Sequence, residues 1–397
     1  MDILTFMSLR NYRGFGRDAW LLVAYSFVSW LGGNIAWFIL PFYLKSMGYD
    51  YTAIGTVFSL STLAQASVLL FSGPLGAKLG YKKTVLLGVS LLFAGRLLQV
   101  LYPSLLLLSI GGIILGVGMA LENPSYMALL SAEVGDERRH YLFSLSSAMG
   151  TIGSALGLIL AGFLPRYMTY RMVFSLVLLF IPLRFVIVAF VKSVLADSTK
   201  PLRVNRGLLV RIGRFALPGA MIGLGAGVTI PYVGLWFNQR FGTSLQNIGW
   251  LFALQQFIMG LGTFLLPLIA DRLGSVKTIV SFNGSASLLI AAMPFSPAFY
   301  IAALIYTVRT ILMNIVNPIW NSFMMGFFDK EERSTAMALN NLSWTATFGI
   351  GQYLGGRLFD VSLTWPFLIT ALLYALSMAT FWGFFRGRTK GYKPSPA

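Results

Sequence analysis

Residues 104–131, SLLLLSIGGIILGVGMALENPSYMALLS, contain one charged side chain, Glu122, and the first eighteen of them carry no charge. A run of that length and apolarity approaches the ~20 residues a helix needs to cross a hydrocarbon core. The same pattern recurs along the chain, with long apolar runs separated by short polar punctuation. It predicts twelve spans, at 19–43, 52–76, 84–101, 104–131, 142–165, 172–192, 213–237, 247–270, 278–296, 299–327, 334–357 and 363–385. Transmembrane β-strands would give ~10-residue alternating segments, and none are present. The first apolar run has no small-residue cleavage pattern, so it reads as a span and not as a removable leader.

Composition agrees. Over 397 residues, 56% are hydrophobic and only 11% charged, with a mean hydropathy of +0.74; a soluble domain needs about 25% charged residues to cover its surface. The net charge of +17 is a matter of topology. With the N-terminus placed in the cytoplasm, 22 of the 30 Lys and Arg fall on the cytoplasmic side, 5 on the opposite side and 3 within spans. That asymmetry is the positive-inside rule, and it predicts contact with lipid headgroups, not nucleic acid. The expectation is a multi-pass protein of the plasma membrane with both termini cytoplasmic. The absence of cysteine excludes disulfides and thiolate metal sites.

The chain repeats itself at an offset of 194 residues. Lys78-Leu79-Gly80 returns as Arg272-Leu273-Gly274, Lys83-Thr84 as Lys277-Thr278, and Ile54-Gly55 as Ile248-Gly249. Asn123-Pro124 returns as Asn317-Pro318, and Gly157, Gly162 and Leu164 as Gly351, Gly356 and Leu358. Matches in one register on equivalent spans mean duplication. The domain reading is an N-terminal half at 1–192, a basic cytoplasmic linker at 193–212 and a C-terminal half at 213–397. The fold class is an all-α membrane protein of two pseudo-symmetric six-helix bundles, an architecture that places a solute site between the halves near the bilayer midplane.

These motifs resemble the major facilitator superfamily over nearly the whole chain. The family's loop between spans two and three reads G-x-L-a-D-r-x-G-r-k. Here its copies are Gly73-Pro74-Leu75-Gly76-Ala77-Lys78-Leu79-Gly80 and Pro267-Leu268-Ile269-Ala270-Asp271-Arg272-Leu273-Gly274. The resemblance implies a cytoplasmic gate built on Gly73, Lys78, Gly80, Asp271, Arg272 and Gly274, with Ala77 replacing the acid in the first copy. Pro41-Phe42-Tyr43-Leu44, followed by Gly48 and Ile54-Gly55, is similar to the drug-efflux branch. The arginine that antiporters carry in span four is absent, as is the Gly-Pro step of span five. A monomer is what the resemblance implies.

Ions inside a bilayer are costly and mark function. Of thirteen acids only Glu122 lies within a span, about ten residues from its cytoplasmic end and hence ~15 Å deep. Arg96, Arg184 and Arg309 are the basic residues within spans. Glu122 and Arg309 occupy equivalent faces of equivalent spans, because the repeat counterpart of Arg309 is Leu115, seven residues before Glu122. Both are expected to face the central cavity. Two roles for Glu122 stay open: a proton carrier whose pKa is raised, or an ionised structural partner of Arg96 or Arg184. Asn34, Gln256 and Asn341 are candidate substrate contacts, with Trp236, Trp320 and Trp344 as aromatic wall. No phosphate loop, metal cluster or nucleophile triad is present, so neither an enzyme nor a cofactor is expected.

The function expected is alternating-access transport of a small organic solute, coupled to protons through Glu122 and running slightly in favour of efflux. The alternatives are an uncoupled facilitator or organic-anion carrier using Arg309, and a non-transporting sensor on the same fold.

Overall fold

A computed structural model describes residues 14–193, 205–262 and 273–388. These residues form helices and short turns, with no β-strand among them. This is the expected outcome for apolar runs in lipid, where every backbone N–H and C=O must be bonded within its own segment. The helices are α1 (Arg17–Ser46), α2 (Tyr51–Leu79), α3 (Tyr81–Leu101), α4 (Leu105–Ala132), α5 (Asp136–Phe163), α6 (Tyr170–Ala189), α7 (Arg206–Thr229), α8 (Val233–Phe241), α9 (Leu245–Gly262), α10 (Ser275–Ala292), α11 (Phe299–Ile315), α12 (Asn317–Phe327), α13 (Arg333–Val361) and α14 (Trp365–Phe385). Among the described residues ten segments are long and apolar enough to cross a membrane. Of the other two expected spans, 334–357 falls within α13 and the part of 247–270 up to Gly262 falls within α9, while 263–270 lie outside the described residues.

The helices overrun the apolar runs. α5 starts at Asp136, not 142, and α7 starts at Arg206, not 213. Hydropathy reports only the lipid-facing stretch, whereas a backbone helix continues until a cap ends it. Asn205 caps α7 by accepting the Leu208 N–H at 2.7 Å, and Thr169 accepts the Met172 N–H at the start of α6. The later end of the expected linker, from Arg206, is therefore helical, while 194–204 lie outside the described residues. The span expected at 213–237 is α7 and α8 joined by a 3-10 turn, Ile230–Tyr232, which carries Pro231.

The chain divides into two compact units, Met1–Tyr43 with Ala64–Lys200, and Leu44–Leu63 with Pro201–Ala397. In the first, α3 and α4 touch backbone to backbone. A Cβ on Gly88 would lie 2.8 Å from the Gly118 carbonyl oxygen, and one on Gly118 would lie 2.8 Å from that of Gly88. Gly95 and Gly111 repeat the arrangement one heptad along, at 2.6 and 2.7 Å. Small residues spaced in this way let apolar helices approach closely where the hydrophobic effect gives no drive. In the second unit, α7, α12 and α14 close on an apolar cluster around Phe215, which packs against Phe323, Phe381 and Phe385.

The 194-residue repeat is visible in local geometry. Gly80 and Gly274 each precede a helix with positive φ, 90° and 80°. The hydroxyls of Thr84 and Thr278 donate to those two glycine carbonyls at 3.0 Å in both copies. The copies diverge at Asn-Pro: α4 runs continuously through Pro124, whereas the later span breaks at Val316 into α11 and α12.

Candidate functional site

Glu122 lies on the glycine-packed face of α4, where its Cβ would be 2.9 Å from a Cβ on Gly88. That packing leaves it 4% exposed and presses its carboxylate toward α1 and α6. Arg184 of α6 pairs with Glu122 Oε1, and the Tyr25 hydroxyl of α1 donates to the same oxygen. Arg184 Nη2 also lies 3.3 Å from the Tyr25 hydroxyl, and its guanidinium sits 5.3 Å from that ring's centroid. Tyr25 stacks on Tyr126 at 5.0 Å. The Tyr126 hydroxyl reaches the Leu22 carbonyl at 3.1 Å and Ser146 Oγ of α5 at 2.7 Å. One buried polar network thus joins α1, α4, α5 and α6 around a single carboxylate.

Arg96 does not share that carboxylate. Its Nη1 donates to Gln99 Oε1 at 2.9 Å, Gln99 Nε2 passes a bond to the Leu108 carbonyl, and the guanidinium lies 4.7 Å from the Phe174 centroid. No salt bridge to Arg96 occurs among the described residues.

In the second unit Arg309 is equally buried, and its Nη2 donates to the Tyr374 hydroxyl at 2.5 Å. Glu122 and Arg309 each make their hydrogen bonds within their own unit. Each has a partner on a neighbouring helix of the same bundle, Arg184 in one case and Tyr374 in the other. The counterparts of Glu122 and Arg184, 194 residues on, are Val316 and Met378, and both belong to the apolar cluster around Phe215. The charged pair is particular to the first half.

The remaining expected contacts scatter. Asn34 donates to the Trp30 carbonyl at 2.8 Å, one turn back on α1. Gln256 is half-buried on α9, beside Gln255, which bonds Thr307 Oγ1 across to α11 at 3.1 Å. Asn341 is exposed, while its neighbour Asn340 is buried. Trp236 is fully enclosed by Phe237, Phe241 and Phe367 and donates to the Leu363 carbonyl. Trp320 stacks on Phe381 at 4.7 Å against the apolar cluster. Trp236 packs the interior and Trp320 is half-buried, whereas Trp344 stays 39% exposed and stacked on Phe348. Of the gate residues, Gly73 and the exposed Lys78 lie on α2, Gly80 and Gly274 start helices, and Asp271 and Arg272 lie outside the described residues. Sequence reasoning missed Tyr25, Tyr126 and Tyr374. A tyrosine in an apolar run is a signal in itself, because its buried hydroxyl requires a partner.

The Major Facilitator Superfamily model matches residues 22–212 and 215–397. The chain is 23% identical over 381 residues to the uncharacterized MFS-type transporter YceJ of Bacillus subtilis, covering 91% of this chain and 95% of that one. It is 23% identical over 343 residues to the proton-coupled antiporter flippase LtaA of Staphylococcus epidermidis, covering 83% and 84%. The crystal structure of the nucleoside transporter NupG matches with a TM-score of 0.77, 15% identity, and coverage of 95% of this chain and all of that one.

Proposed function

The chain belongs to the Major Facilitator Superfamily and is a membrane transporter, and on that premise we propose that it exports a small organic solute by proton-coupled alternating access, with Glu122 as the coupling group. The observation that carries the reading is the place of Glu122. It is the one carboxylate far from a helix end among the described residues, held by Tyr25 and Arg184 on two other helices. A lone buried acid of this kind is expensive to keep unless it is used.

In the arrangement described, Glu122 pairs with Arg184. In the proposed cycle a proton takes the place of Arg184 on Glu122 when the two are drawn apart. Any rearrangement that separates α4 from α6 would therefore load a proton, and re-pairing would release it. Export is supported by the drug-efflux-like residues 41–55 and by the relative named as a proton-coupled antiporter. The basic bias of one set of loops supports a plasma-membrane orientation with cytoplasmic termini.

The test is transport in proteoliposomes, using a solute selected by thermal shift from a panel of amphipathic cations, anions and sugars. In Glu122→Gln, accumulation driven by a proton gradient should be lost while solute exchange persists. Gradient-driven accumulation at the wild-type level would overturn the reading.

A second reading is supported by Arg309. This guanidinium is 4% exposed and bonds Tyr374, and among the described residues its Nε has no hydrogen-bond partner. An organic-anion carrier could use its planar fork to hold a carboxylate or phosphate. Thermal stabilisation by organic anions that is lost in Arg309→Lys would favour this reading over proton-coupled export.

A further inference from the structure

A cavity of about 50 Å³ opens inside the first unit, between α1, α3, α4 and α6. Its walls are mostly apolar, among them Val28, Leu92, Leu115 and Met119, and three polar side chains interrupt them: Ser29, Arg96 and Arg184. Each of the three brings a buried donor with no hydrogen-bond partner among the described residues, Ser29 Oγ, Arg96 Nε and Arg184 Nε. Unpaired buried donors are rare and each needs an account. Three around one cavity have a common one.

We propose that this cavity is a binding site for a singly charged carboxylate, held by Arg96, Arg184 and Ser29 within the first bundle. Charge selects the ligand. The two guanidiniums of the wall stand against a single carboxylate, Glu122, which bonds Nη2 of Arg184 and does not reach Arg96. Arg96 has only the neutral Gln99 and the Phe174 face. An uncompensated cation in a low dielectric costs several kcal/mol. Water would satisfy the three donors but would leave the charge in place; an anion does both. Guanidinium forks match the planar oxygens of a carboxylate. A dianion would meet the repulsion of Glu122 and walls that offer it no further donors. The volume holds a few waters or a carboxylate group, while the apolar lining suits a short hydrocarbon body. Gly33 lies exposed at the rim, where an added Cβ would meet nothing within 4 Å, so the cavity has an open side.

The site shares Arg184 with the coupling cluster but does not depend on proton coupling, and equilibrium binding tests it alone. The experiment is thermal unfolding of the purified full-length protein in detergent, titrated with sodium benzoate, neutral benzamide, or sodium chloride at matched ionic strength. Benzoate should raise Tm saturably, as a ligand specific to the folded state does, and benzamide and chloride should not. Arg96→Gln should weaken benzoate by at least about tenfold, and Ser29→Ala by about two- to tenfold, as expected for a charged and a neutral hydrogen bond. Arg240→Gln, which changes an exposed arginine on α8, should leave the response unchanged. The proposal is overturned if benzamide or chloride matches benzoate, or if Arg96→Gln and Ser29→Ala both bind as wild type does. A response lost in Arg309→Gln and kept in Arg96→Gln would place the anion in the second unit and also overturn it. Should Arg96→Gln fail to fold, Ser29→Ala together with the cavity-filling Gly33→Leu decides the matter, since both must weaken benzoate.

Discussion

Glu122 and Arg184, 62 residues apart in sequence, form an ion pair between α4 and α6, and their counterparts 194 residues on, Val316 and Met378, share an apolar cluster. One position in two homologous bundles thus holds a charged pair in one and hydrocarbon in the other. The second half is a natural control for the first: a bundle of this design closes well without the ions.

That comparison predicts a strongly coupled double-mutant cycle. Arg184→Met alone strands a buried carboxylate and should cost about 3–5 kcal/mol. Combining it with Glu122→Val installs the residues of the second half and should recover most of that loss. Thermal unfolding of the two single variants and the double variant in one detergent reads the coupling. Simple additivity would mean that the pair contributes nothing to packing. The double variant should nonetheless remain inactive in gradient-driven transport, which separates the structural role of the pair from its proposed coupling role.

Gly88→Ala should be among the most damaging one-methyl changes in the chain. Its Cβ would meet the Gly118 carbonyl oxygen at 2.8 Å and the Glu122 nitrogen at 2.9 Å, both backbone atoms that cannot rotate away. Overpacking of that kind costs about 1–3 kcal/mol, and it would push α4 and Glu122 away from α3. Gly33→Ala, which meets open space, should leave Tm unchanged. Equal Tm values for the two variants would refute the close α3–α4 contact.

Asp360 near the end of α13 accepts the N–H groups of Tyr51 and Thr52 at 2.9 Å each, and the Thr52 hydroxyl at 2.6 Å. It thereby caps the first turn of α2 with a remote carboxylate, which complements the positive end of the helix dipole. Asp360→Asn should lower stability by about 1 kcal/mol, and Thr52→Ala should add little further loss once Asp360 is changed. An unchanged unfolding temperature in Asp360→Asn would show the contact to be energetically neutral.

Glu133, just beyond α4, has its carboxyl held above the ordinary range, first by burial and then by the nearby Asp18, with Lys192 opposing. A raised folded-state pKa means that the folded protein holds its proton more tightly than the unfolded chain does. The acid therefore destabilises the fold once pH rises through that range, and the penalty disappears below the ordinary carboxylate pKa. Glu133→Gln should unfold at a slightly higher temperature than wild type at neutral pH and at the same temperature in acid. A difference that persists or grows in acid would contradict this account.

Much of the architecture was legible from period and repeat alone. Apolar length located the spans, and the 194-residue offset anticipated Gly80 and Gly274 as equivalent turns, which their shared positive φ matches. The site was harder to read because side-chain partners depend on helix rotation. Depth placed Arg96 and Arg184 both within reach of Glu122, and only the packing of α3 on α4 and of α6 beside them assigns Arg184. The repeat argument placed Glu122 and Arg309 on equivalent faces, but it could not see that Tyr25 and Tyr374, which have no polar counterparts across the repeat, bond the two ions within their own units. The Asp360 cap joins residues 308 or more apart and leaves no local pattern.

Proton movement tests the central claim most directly. Proteoliposomes loaded with a pH-sensitive dye and given a transported solute should show an internal pH change in wild type that tracks solute flux. Glu122→Gln should exchange solute with no pH change. A pH change in Glu122→Gln equal to that of wild type would contradict the assignment of Glu122 as the coupling group.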